Sequence, residues 1–263
     1  MNAADGGQVV ADIRRLSHES TNQRVFHLAR PYLAAGMQVL DLGAGEGYFS
    51  RIAGEYLREY AGVNPSDVLC ACDAFPEQFR YTGVGCDRVG EDGRLPYEQR
   101  FDLVCSLEVI EHVEDQFRFL REAYRVLKPE GLLVASTPNV LSMNSRWRHL
   151  HSGFAQLFDP LPLDGRDIVH TSGHIHPVSY YYLSVALRSA GFRHVAVHYD
   201  HRKRSALFQL LLFSPLILAG HLGFLVRMRR KRPREMDQNR HVVAEMNSLA
   251  MLTSRSVIVA ARK

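Results

Sequence analysis

The stretch from Met37 to Ser50, MQVLDLGAGEGYFS, limits what this chain can fold into more than any other. Val39 to Leu42 reads as a buried strand, Gly43, Gly45 and Gly47 as a tight turn, and Tyr48 as the start of a helix. A strand, a glycine turn and a helix in that order place a nucleotide-type ligand at the carboxyl end of the first strand of an open α/β sheet. An ordinary tight βα connection would use the same residues, so the ligand must be argued from the side chains.

Two of them exclude a dinucleotide. Its fingerprint wants a third glycine where this chain has Tyr48. Asp41, at the strand end, would repel a pyrophosphate but attract an ammonium or a sulfonium. S-adenosylmethionine (SAM) carries both cations and no phosphate, and the glycines let backbone approach it closely. Asp41, Gly43, Gly45 and Gly47 are therefore expected to bind SAM.

At 263 residues the chain can be one large α/β domain or one domain with an insertion. Hydrophobic content of 46% and charged content of 23% exclude wholesale disorder. Cys70, Cys72, Cys86 and Cys105 lie in or beside apolar runs without a CxxC pair, which predicts reduced thiols in a cytoplasmic protein and no metal held by them. The first residues, MNAADGGQVVADIRR, lack an apolar signal core, so export is not expected.

Met1 to Gly7 reads as a frayed tail and Gln8 to Ala35 as two helices, the second capped near Thr21 or Asn22. Residues 1–36 form a helical cap over the site or a helix layer on the sheet. Tyr48 to Tyr60 follows as a helix. Val68 to Cys72 is a strand closed by Asp73, whose carboxylate suits two ribose hydroxyls. The rival second strand ends at Asn64. Tyr81 to Cys86 is a third strand leading to Asp87, Glu91 and Asp92, of which Asp92 is the candidate for the adenine amino group. Phe101 to Leu107 is a strand buried on both faces, and Asp115 to Leu127 a helix with Phe117, Leu120 and Tyr124 inward, stopped by Pro129 and Gly131. Leu132 to Ser136, Tyr180 to Ala190 and Val195 to Tyr199 read as strand, helix and strand.

The segments VLDLGAGEG, FDLVCSLEVIEHVED, LREAYRVLKPEG, LLVASTPN and ALRSAGF together resemble the class I SAM-dependent methyltransferases, in particular the group with EVIEHV after the fourth strand. The resemblance covers Val39 to Phe192. It implies a Rossmann-like, doubly wound α/β fold, with a mostly parallel seven-stranded sheet, helices on both faces and one antiparallel strand near an edge. It carries Asp73 over as the ribose acid, and Ser106 with Leu107 as backbone lining the cofactor near its methyl group.

The irregular segment 140–178 holds Trp147 and the histidines His149, His151, His170, His174 and His176, and reads as the acceptor-binding insertion. The i, i+2 histidine pairs lack a recognisable carboxylate or cysteine partner, so no metal is expected. Histidine is the natural base for an oxygen acceptor. His112 is the first candidate and His174 and His176 follow; a structural hydrogen bond in the turn is the alternative for His112.

Within 201–255, the apolar run Ala206 to Val226 is flanked by RKR and RMRRKRPR. Because 256–263 reads as the last strand of the same sheet, and Pro215, Gly220 and Gly223 break the run, a hairpin or a pair of helices on an anionic membrane surface is expected through 206–234. A buried hairpin or a homodimer interface is the rival. Nucleic acid is disfavoured because stacking aromatics are absent from the basic cluster. The sequence thus points to a SAM-dependent methyltransferase of the cytoplasmic membrane face, transferring methyl to oxygen of a lipid-linked, glycan or other hydrophobic acceptor. The rivals are a soluble RNA or protein methyltransferase and a SAM-binding module without catalysis.

Overall fold

A computed structural model of the chain describes residues 13–162 and 173–263. Seven strands are present: β1 Val39–Leu42, β2 Leu69–Asp73, β3 Cys86–Arg88, β4 Phe101–Leu107, β5 Leu127–Pro138, β6 Arg193–Tyr199 and β7 Ser256–Arg262. They form one sheet in the order β3-β2-β1-β4-β5-β7-β6. Strands β1 to β5 pair in parallel, and β7 runs antiparallel to both β5 and β6. The strand order reverses between β1 and β4, and such a switch point opens a crevice at the carboxyl ends of the strands.

Among the described residues, six α-helices accompany the sheet up to β6: α1 Glu19–Ala29, α2 Tyr48–Glu59, α3 Pro65–Val68, α4 Gln116–Val126, α5 Met143–Ser152 and α6 Tyr180–Ala190. One face of the sheet packs Leu40, Val104, Leu133 and Val259 with Leu120 of α4 and Leu183 and Leu187 of α6. The opposite face packs Val39, Leu103, Cys105 and Val134 with Val25 and Ala29 of α1 and Phe49 and Ala53 of α2. The central strands are apolar on both faces because helices cover both, and each large side chain so buried stabilises the fold by about 1.5–3 kcal/mol. The thiols of Cys70, Cys72, Cys86 and Cys105 are free.

Several local expectations change. Helix α1 begins at Glu19 with His18 as its cap, and Thr21 and Asn22 are buried inside it. The third strand starts where it was expected to end, at Cys86; Tyr81 instead packs against α2, with its hydroxyl where a side chain at Gly54 would stand. Phe117 is exposed, since only Leu120, Ala123 and Val126 of α4 are buried. Strand β5 begins directly at Leu127, and a register shift against β4 absorbs the Pro129–Gly131 segment, with Glu130 at φ 62°. The first helical pattern from Gln8 lies largely outside the described residues, as do the Met1–Gly7 tail and His170.

Between β6 and β7 stand α7 Arg204–Lys231, α8 Pro233–Gln238, α9 Arg240–Glu245 and α10 Leu249–Thr253. The expected hairpin is instead one continuous helix of 28 residues, with Pro215 inside it. Proline removes one backbone donor from the ladder. The Ser214 hydroxyl donates to the Leu211 carbonyl at 3.4 Å and so occupies the acceptor that Pro215 leaves free. Helix α7 is long and apolar enough to cross a bilayer by length and composition. One stripe of it meets the protein through Ala206, Leu210, Phe213 and Ile217, which pack on Met143 and Leu252. Leu211, Leu212, Leu216, Leu218 and Leu222 face outward, each more than half exposed.

Candidate functional site

A cavity of about 780 Å³ opens at the carboxyl ends of β1, β2 and β4. The glycine turn forms its floor. Gly43 has φ +77°, and a side chain there would overlap the Val109 side chain. The Gly43 amide donates to the Cys72 carbonyl at 2.8 Å, which draws the turn onto the end of β2. Gly45 lines the cavity and donates its amide to Asp73 at 2.8 Å; the other Asp73 oxygen accepts from the Phe75 amide at 2.8 Å. Gly47 does not line the cavity but starts α2 from a left-handed conformation at φ 89°.

Asp41 is buried at the end of β1 and accepts a hydrogen bond from the Ser50 hydroxyl at 2.6 Å. Burial raises its pKa to about 7, the Ser50 hydrogen bond works against that rise, and Asp73 nearby adds to it. A carboxyl so placed is poised to release its proton to solvent when a cationic ligand binds beside it. Asp92 lies at the exposed rim, where it pairs with Arg118 at 2.8 Å and accepts from the Arg94 amide, which holds its pKa low. Leu107 lines the cavity; Ser106 is buried behind it and does not.

The cavity is lined by nine carboxylate residues, among them Asp41, Glu46, Asp73 and Glu108, and by two arginines, Arg14 and Arg118. That balance favours a cationic ligand and opposes a pyrophosphate, and the volume is in the range of small-molecule sites. The residues therefore fit SAM on their own chemistry.

The segment after β4 forms the opposite wall. Glu108 takes φ +53°, a conformation uncommon for a residue with a side chain and frequent at functional sites. The Ile175 and His176 amides both donate to the Glu111 carbonyl at 3.0 Å, which brings a distant loop onto the EVIEHV turn. As a result the rings of His112 and His174 meet edge to face at 4.7 Å, and both line the cavity. His112 Nδ1 lies 2.9 Å from the Gly173 carbonyl, so Nδ1 carries the proton and Nε2 keeps its lone pair. Burial lowers the pKa of both imidazoles. His176 is placed differently from expectation: its Nδ1 is tied to the Val113 carbonyl at 2.8 Å and it does not line the cavity.

Glu111, which the sequence did not single out, is fully buried, and neither carboxylate oxygen has a well-formed hydrogen bond among the described residues, although the Thr137 hydroxyl stands close. Burial first and the nearby Glu108 second raise its pKa well above the carboxylate range. Glu111, His112 and His174 each offer a ligand atom, all within 4.8 Å of one another. A carboxylate thus does complete a set with His174, and these three could hold a divalent cation. The signal available in the sequence was the spacing of Glu111 and His112 inside one motif; the third member depends on the fold.

A family model described as "Methyltransferase domain" matches residues 14–197. A probable SAM-dependent methyltransferase of Mycolicibacterium smegmatis is 31% identical over 169 residues, covering 60% of this chain and 61% of that protein. A ubiquinone biosynthesis O-methyltransferase of Bradyrhizobium diazoefficiens is 32% identical over 115 residues, 43% of this chain and 42% of that protein. The chain therefore spans from about two fifths to three fifths of these relatives. The crystal structure of a SAM-dependent methyltransferase from Archaeoglobus fulgidus shares the fold with a TM-score of 0.52 at 18% identity, over 92% of this chain and 94% of that one. Sheet order, glycine turn, acidic cavity and matched domain agree, and the chain belongs to the class I SAM-dependent methyltransferase family.

Proposed function

We propose that the protein transfers the methyl group of SAM to a hydroxyl oxygen of an amphiphilic acceptor at the cytoplasmic face of a membrane. One coincidence supports this reading: the His112–His174 wall and the exposed apolar helix α7 both depart from the carboxyl edge of the sheet. The O-methyltransferase relatives favour oxygen as the accepting atom.

When bound, SAM supplies a methyl group already activated on a sulfonium. The chain has to position the acceptor in line with it and remove the hydroxyl proton. As the acceptor oxygen took the methyl group, its hydroxyl proton would pass to His112 Nε2. The Gly173 carbonyl fixes His112 in the tautomer that this needs. Asp41 and Asp73 hold the donor's cationic and hydroxyl groups, and Gly43 and Gly45 give their backbone to it.

The orphaned Glu111 carboxylate favours a second reading, in which a divalent cation held by Glu111, His112 and His174 lowers the pKa of the acceptor hydroxyl. Exhaustive chelation separates the two. Turnover unchanged by chelation supports the imidazole base, and turnover lost on chelation and restored by added divalent cation supports the metal.

The acceptor is tested by incubating the purified protein with methyl-labelled SAM and a cell lysate, then separating organic-extractable, glycan, nucleic-acid and protein fractions. Label in the organic or glycan fraction is the expected result. Label confined to RNA or protein overturns the membrane reading, and no label in any fraction leaves only SAM binding.

A further inference from the structure

A second cavity, of about 550 Å³, lies between the latter half of α7, α6 and the α8–α9 return, and shares no lining residue with the SAM cavity. Phe224 and Met228 of α7 face Met236, Val243 and Met246 across it. Methionine walls are adaptable and suit a flexible hydrocarbon better than a rigid ring.

One charged group stands out in this lining. Arg146 donates to the Leu141 and Met246 carbonyls and to the Asn247 side chain, and pairs with no carboxylate among the described residues. Burial alone lowers its pKa. Glu235, the acid in the lining, is exposed and paired with Arg232 at 3.3 Å. A partly buried guanidinium without an acid is a site for an anion. Leu141 follows the end of β5 by three residues, which puts Arg146 at the carboxyl edge of the sheet, the edge where the SAM cavity opens.

We propose that this cleft binds the hydrocarbon chain of an anionic single-chain amphiphile, with its phosphate or carboxylate head against Arg146 and its tail along Met228, Met236 and Met246. The inference rests on the membrane-acceptor reading and narrows the acceptor to a lipid with an acidic head. A cleft of this kind draws one lipid out of the bilayer surface and presents its head group at the edge where methyl transfer occurs.

The probes are dodecyl phosphate, the neutral dodecyl maltoside and inorganic phosphate, each below any micelle concentration, titrated into the full chain. Calorimetry reads binding, and so does the fluorescence of Trp147, which adjoins Arg146 and stacks on Phe213 of α7 at 5.2 Å. Dodecyl phosphate is expected to bind at least tenfold more tightly than either other probe. Gly220→Leu fills the cleft without harming α7, because a Cβ there meets nothing within 4 Å and leucine favours helix more than glycine. This variant should weaken dodecyl phosphate at least tenfold while leaving SAM affinity unchanged, and Arg146→Lys should narrow the preference over dodecyl maltoside at least threefold. Dodecyl phosphate binding no better than inorganic phosphate overturns the proposal, as does wild-type affinity in Gly220→Leu. Pelleting with phosphatidylglycerol vesicles is scored separately. Pelleting without dodecyl phosphate binding removes the cleft but keeps the membrane reading, whereas dodecyl phosphate binding without pelleting keeps the cleft and removes membrane docking.

Discussion

The Arg255 guanidinium lies 2.7 Å from the Glu108 carboxylate, joining the residue before β7 to the left-handed residue that follows β4. Both side chains are mostly buried, and the Ser256 hydroxyl donates to the same Glu108 oxygen at 2.8 Å. The pair fastens the return from the α7–α10 insertion to the wall of the SAM cavity.

Removing one partner strands the other charge, at a cost of about 3–5 kcal/mol. Arg255→Met is therefore expected to lower the melting temperature by roughly 6–20 °C, at about 2–4 °C per kcal/mol for a domain of this size. Adding Glu108→Gln to Arg255→Met should recover part of that loss. A double mutant no more stable than Arg255→Met would show that the pair is not coupled.

His112→Ala should reduce turnover by about 10²-fold or more, the usual worth of a positioned general base or ligand. SAM affinity, read by calorimetry, should stay within about twofold. An equal loss in both would move His112 from the acceptor to the donor.

Asp41 predicts a pH dependence for SAM binding. Its carboxyl, raised to about 7, is largely protonated in the free protein below that pH, and a bound cation favours the carboxylate. Binding then releases a proton, so affinity should rise with pH up to about 7 and level off above. The same raised pKa means that the ligand-free fold carries a stabilising neutral Asp41 at low pH, which is lost as pH rises from the ordinary carboxylate range through 7. Asp41→Asn should flatten the affinity profile, and a profile unchanged by this substitution would remove Asp41 from the donor site.

Gly43→Ala has both a positive φ and the Val109 side chain against it. SAM binding should weaken at least tenfold, a loss of about 1.4 kcal/mol. Val109→Ala opens the space, so the double variant should bind more tightly than Gly43→Ala alone; no recovery would assign the whole effect to the backbone.

Exposed leucines of α7 can be changed without touching its packed stripe. Leu212→Gln, Leu218→Gln and Leu222→Gln together should leave the melting temperature within about 2 °C and abolish pelleting with anionic vesicles, since each buried leucine contributes about 1.5–3 kcal/mol. Basic residues after Met228 add on the order of 1 kcal/mol each near such a surface, so salt should weaken the wild type. A protein that never pellets, yet doubles in mass with concentration, would make α7 a homodimer interface.

Much of the framework is legible in the sequence because its signals are local. Phe101–Leu107 is an unbroken apolar run in a sheet covered on both faces, and Tyr180–Ala190 is closed by Gly191 in a left-handed cap. Asp73 is legible as the acid that ends β2. The contact of Glu111 with His174 is not, since it requires the Ile175 and His176 amides to dock on the Glu111 carbonyl across a loop of no regular pattern. Helix α7 is misread for a different reason: Pro215 signals a break, but one neighbouring hydroxyl and a long apolar flank let the helix continue.

Tyr199 and Val257 pair across β6 and β7, so the whole of 200–256 leaves and rejoins the sheet between two hydrogen-bonded neighbours. In topological terms the insertion is the turn of a β-hairpin, enlarged. The entropy of closing such a turn grows only with the logarithm of its length. Elements there can be lengthened, shortened or exchanged with little effect on strand pairing, which leaves this part of the chain free to diverge while the glycine turn and the strands beside it stay fixed.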